Sequence, residues 1–100
     1  MGYPKFIITN KGYLRLGIVT LHRQLIEAGE QCLGGGYYEF DYTGQRLLLS
    51  GASSDYGPPR WRRLAVLKVP SEYVGWGIVY SPGSRECEMD IADELKVEYV

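Results

Sequence analysis

The sequence predicts a single small α+β domain, a mixed sheet of about five strands with two short helices packed on it. Two observations predict it. Apolar or alternating runs occur in pairs joined by turn residues, and helical apolar spacing follows each pair. The resulting order is strand-strand-helix-strand-strand-helix-strand.

Within "KFIIT", Phe6 to Thr9 reads as a short buried strand. Asn10, Lys11 and Gly12 are turn residues, and "YLRLGIVT" returns as a second strand to close a hairpin. From Thr20 the period changes. Leu21, Leu25, Ile26 and Ala28 share one helical face, with Thr20 as N-cap and Gly29 as the stop. Tyr38 and Phe40 then alternate with Tyr37, Glu39 and Asp41. "YTGQ" turns the chain, and Arg46 to Ser50 completes a second hairpin.

"GASSDYGPP" is a loop of turn formers. Pro58 and Pro59 are expected to open a second helix whose core face is Trp61, Leu64, Ala65 and Leu67, ended by Pro70. "EYVGWGIVY" reads as the last strand. The stretch from Ser81 is acidic and is expected to be a short helix or a frayed extension. The expected organisation is therefore a domain over residues 1–80 and an acidic extension over 81–100.

A length of 100 residues supports one modest core, and the formal charge of −1 argues against a generic nucleic-acid binder. Cys32 and Cys87 have neither metal-ligand neighbours nor dense disulfide spacing, which fits reduced thiols in the cytoplasm. "MGYPKFIITN" lacks a secretory apolar core, and no run approaches a membrane span, so no membrane partner is expected. Neither a metal nor another cofactor is expected. The oligomeric state is left open.

Three short stretches carry chemistry. His22 is the only histidine and falls at the expected start of the first helix. Unpaired amides there would disfavour an imidazolium and leave a neutral ring to act as nucleophile or general base. Equally, a histidine at this place is an ordinary surface residue. "SSDYG", Ser53 to Gly57, is either a plain turn or a set of successive amides that hold an anion. "GGG", Gly34 to Gly36, is no phosphate loop, because no Gly-Lys-Ser/Thr follows it. Consecutive glycines inside a strand pattern mark a bulge or a close approach of backbone. "RWRR", Arg60 to Arg63, reads as a solvated face with Trp61 turned inward.

Taken together, "TLHRQLI", "CLGGG" and "GASSDYGP" resemble the Janus/Ocnus family, whose best-known members are the small protein phosphohistidine phosphatases. The resemblance spans about Lys5 to Val79 and is most specific from Cys32 to Pro58. It implies that His22 is catalytic, that Lys5 binds phosphate, and that Ser53, Ser54 and Asp55 form the phosphate-binding loop. Arg15 matches a further family arginine after a one-residue shift.

Tyr37 stands where the family's phosphatases have an arginine, and Leu21 where they have a tyrosine. Asp55 adds a carboxylate to the phosphate loop. The implied function is metal-independent hydrolysis of a phosphoramidate such as phosphohistidine. Its partner would be a phosphorylated protein or peptide, or a small phosphoramidate. The second reading is a non-catalytic module on the same fold that binds a phosphopeptide or a nucleotide, with Tyr37 as a substrate contact. A third is an interaction domain using Trp61, Trp76 and the tyrosines as its surface.

Overall fold

The computed structural model describes the whole chain except residues 52–55, 58 and 84–87 and the side chain of Arg62. The first hairpin pairs β1 (Tyr3–Thr9) with β2 (Leu14–Val19). The second pairs β3 (Cys32–Asp41) with β4 (Arg46–Ser50). β5 (Val66–Val69) and β6 (Gly77–Ser81) follow, then β7 (Met89–Asp90), a single α turn, α1 (Ile91–Glu94), and β8 (Lys96–Tyr99).

Six strands form one mixed sheet in the order β2-β1-β3-β4-β6-β7, parallel only where β4 meets β6. β5 and β8 form a small parallel sheet of their own. The mixed sheet and the sparse helix content agree with the expected class. The strand count does not: eight strands occur among the described residues, against about five expected.

Both expected helices are corrected to single 3-10 turns, His22–Leu25 and Trp61–Arg63. A helix this short is marginal unless one face packs. Here Leu25 does pack, against the backbone at Gly17, but the chain is already extended at Ile26 (φ −90, ψ 127). Arg15 then draws Glu27 and Glu30 back towards β2. Leu21, rather than Thr20, caps the turn, and its backbone N–H donates to the Gln24 side chain.

In the second case the apolar period is two, not 3.6. Leu67 and Val69 are wholly buried while Val66 and Lys68 are half-exposed, and the β-branched valines favour the strand. Pro70 ends that strand.

Successive residues of β1 divide the interior. Phe6 and Ile8 enter the main core with Leu14, Leu47, Leu49, Ile78, Tyr80, Trp61, Leu67, Val69 and Ile91. Each such side chain contributes about 1.5–3 kcal/mol by leaving water. Lys5 and Ile7, also buried, face the other side of the sheet.

The acidic stretch after residue 80 contributes β7, α1 and β8. Asp90 caps α1 by accepting from the Ala92 N–H, and Ile91 is fully buried in the core. Ser71 N–H donates to the Val100 carbonyl, and Val100 N–H to that of Val69. Among the described residues, no helix is long and apolar enough to cross a membrane.

Candidate functional site

The three glycines of β3 let two strands and a turn converge. The β1–β3 register shifts between Ile8 and Thr9, which face Gly34 and Cys32, and Gly34 absorbs the bulge at φ +142. A Cβ on Gly35 would stand 2.6 Å from the Phe6 carbonyl oxygen and 3.3 Å from the His22 ring. On Gly36 it would stand 1.9 Å from the Ser50 carbonyl oxygen. No side chain fits there.

Into this space the turn after β2 inserts His22, 1% exposed, with Nε2 2.9 Å from the Gly36 carbonyl oxygen. A carbonyl only accepts, so Nε2 carries the hydrogen and, in the neutral ring, Nδ1 carries the lone pair. The ring of Tyr37 meets the imidazole edge-on at 5.7 Å between centroids, and that of Tyr56 at 6.3 Å. The helix start expected to tune His22 is absent. One 3-10 turn aligns too few peptide dipoles to act as a macrodipole, and the Gly36 carbonyl orients the ring in its place.

Lys5 lies beside Tyr37 in the β1–β3 register and is buried along its stem. Its Nζ donates to the Thr20 carbonyl, two residues before His22. Lys5, Tyr37 and His22 thus gather on one face of the sheet.

Arg15 shares that face, opposite Ile7, but its guanidinium is engaged elsewhere. It binds both carboxylate oxygens of Glu30, Nη2 to Oε2 at 2.7 Å, and lies 3.3 Å from Glu27. The hydrogen bond from Arg15 holds the Glu30 carboxyl below its usual range, against the opposing effect of desolvation. Arg15 fastens the 27–30 turn to β2.

Ser53, Ser54 and Asp55 lie outside the described residues. The ends of their loop are tied to this part of the sheet: Gly51 N–H donates to the Ser81 carbonyl, and the Gly57 carbonyl accepts from Gly35 N–H at 3.1 Å. That second bond occupies the edge of β3 that β4 does not reach.

Two partners were missed in the sequence, Tyr56 and the Gly36 carbonyl. Tyr56 sits in the quoted turn, but nothing local shows its ring meeting His22. The glycine run did signal close approach without identifying the approaching group.

Trp61 is a core residue, its ring 5.2 Å from that of Tyr80. Trp76 belongs to a separate aromatic cluster with Phe40, Tyr42 and Tyr73. Cys32 is a free thiol, pushed up by burial; Cys87 lies outside the described residues. Among the described residues, no three His, Cys, Asp or Glu side chains group as metal ligands.

No family model, curated protein or solved structure matches the chain.

Proposed function

We propose that the chain is a phosphatase-like protein of the Janus/Ocnus kind, which hydrolyses a phosphoramidate such as phosphohistidine in the cytoplasm without a metal. The reading rests on one observation above all: His22 donates from Nε2 to the Gly36 carbonyl, which leaves the lone pair on Nδ1, on the face that also carries Lys5.

In this mechanism Nδ1 of neutral His22 attacks phosphorus, and the bond to the substrate's nitrogen breaks. The leaving nitrogen takes a proton. Water then attacks the phosphorus on His22, releasing inorganic phosphate and restoring the ring. The Lys5 ammonium and the amides of Ser53, Ser54 and Asp55 stabilise the equatorial oxygens. Arg15 acts at one remove, by holding the turn that follows His22.

A second reading is favoured by the 1% exposure of His22 and by the two tyrosine rings against it. In that reading the site binds a phosphopeptide or a nucleotide and does no chemistry. The two are separated by phosphate release from a phosphohistidine peptide in metal-free buffer. His22→Ala should abolish release, as should His22→Gln, whose Nε2 amide can still donate to the Gly36 carbonyl and preserve the fold. Binding without release by the unaltered protein would establish the second reading.

A further inference from the structure

The two outer strands of the main sheet, β2 and β7, differ. β7 has only Met89 and Asp90 and passes straight into α1. β2 runs for six residues, Leu14–Val19. Long open edges recruit further strands, and chains normally blunt them with lysine, proline or a bulge. β2 has none of these. Its sequence is "LRLGIV", and its register with β1 is unbroken from Tyr3–Val19 to Ile8–Leu14.

The hairpin decides which backbone groups this edge offers. Thr9 N–H donates to the Tyr13 carbonyl. Antiparallel pairs alternate, so Arg15, Gly17 and Val19 bond to β1, while Leu14, Leu16 and Ile18 turn their N–H and C=O groups outward. Pro4, which has no N–H, accordingly stands opposite Ile18. Among the described residues, β5 reaches this edge at its start alone, through the parallel bridge Tyr13–Lys68. Past that bridge Leu14, Leu16, Leu25, Pro70 and Val100 line a cleft of about 290 Å³. The outward groups of Leu16 and Ile18 meet no partner among the described residues.

The side chains define the strand that fits. Ile18 stays 72% exposed although Gly2 lies close to it, and Leu16 on the same face is half-buried. On the other face Gly17 is bare, and Leu25 takes the space: a Cβ on Gly17 would lie 2.8 Å from Leu25 Cδ2. Arg15 is the one charged residue of the strand, and Glu30 and Glu27 pair with it. A complementary strand is therefore apolar on one face, uncompensated by no charge, and without a bulky side chain opposite Gly17. β2 itself meets that description.

We propose that two copies of this chain associate through β2, antiparallel about a twofold axis at Gly17, so that Leu16 of each pairs with Ile18 of the other. The two six-stranded sheets then join into one. Both residue pairs are hydrogen-bonded, and Leu16 of the second copy covers Ile18. On the opposite face the two Leu25 side chains close the seam over the glycines. Arg15 stands across from Val19, so no like charges meet. The inference stands on the strand edge and does not depend on the function proposed above.

Sedimentation velocity of the protein between about 5 and 500 μM should show the mass rising towards twice that of one chain, as expected of a small interface. Ile18→Lys places a charge at the seam on a side chain that is already exposed. Its unfolding midpoint at the lowest concentration should match that of the unaltered protein, while the dimer Kd should rise about tenfold or more. Hydrogen exchange followed by NMR should slow about tenfold at the Leu16 and Ile18 amides from the lowest to the highest concentration.

A single-chain mass at every concentration would overturn the proposal. So would a dimer that survives Ile18→Lys, or one that leaves those two amides unslowed, since either would place the contact elsewhere. Amides already slow at the lowest concentration would overturn it too, by showing the edge covered within one chain.

Discussion

His22 and Gly36 hold each other in place: the imidazole Nε2 lies 2.9 Å from the glycine's carbonyl oxygen, while the space a side chain would need on Gly36 is filled by the Ser50 carbonyl, 1.9 Å away. The residue that orients the histidine is thus itself barred from having a side chain. The Gly36 carbonyl holds the ring and the bare Gly36 Cα admits the Ser50 carbonyl of β4, so one residue serves both.

Gly36→Ala is therefore expected to damage fold and site together. A methyl group cannot enter without separating β3 from β4, at a cost of about 3 kcal/mol. For a domain of this size that lowers Tm by on the order of 15 °C. Thermal unfolding followed by circular dichroism checks it, and an unchanged Tm would show that the strands part easily.

The Arg15–Glu30 pair should appear in acid. Glu30 titrates below its usual range in the folded chain, chiefly through the hydrogen bond from Arg15. Its contribution to stability is thus complete above the ordinary glutamate value of about 4.3 and is lost as pH falls through the lowered folded value. Glu30→Gln should lower the urea midpoint at about pH 7 and make little difference at about pH 2. A deficit that is equal at both pH values would assign the effect to packing.

Ile91→Ala tests the place of the C-terminal segment. Ile91 is fully buried among core residues from both sheets. Its truncation should cost about 3 kcal/mol, read from chemical denaturation. A cost near zero would mean that the segment after residue 80 is dispensable to the core.

Tyr37→Arg tests the proposed phosphatase reading. Tyr37 lies against His22 and beside Lys5, so in the proposed mechanism a guanidinium there would face the substrate's phosphoryl oxygens. Phosphate release is expected to rise about tenfold. A fall would show that the tyrosine ring itself positions the substrate.

Local pattern made part of this fold legible. Both hairpins follow from turn residues between apolar runs, and the glycine run announced a close approach. The helix starts misled because the apolar spacing at Leu21, Leu25 and Ile26 also suits a turn pinned by Arg15. "VLKV" was hidden in a helical reading although its buried residues alternate. The "IADELKVEYV" end was legible only as acidic, since the burial of Ile91 depends on elements far away in sequence.

For the site, the chain alone identified the chemistry-bearing types and their order: one histidine, a lysine opening a strand, three glycines and a serine-rich turn. Composition and periodicity are local quantities, and they determine strands and turns. Which residues face each other depends on register and on how the turns pack, and the partners lie beyond any local window, 14 residues apart for His22 and Gly36 and 15 for Arg15 and Glu30. That register places Lys5 beside Tyr37, directs the Gly36 carbonyl to His22, and commits Arg15 to Glu30. Pairing energies between distant strands settle these choices, and no short window of sequence contains both partners.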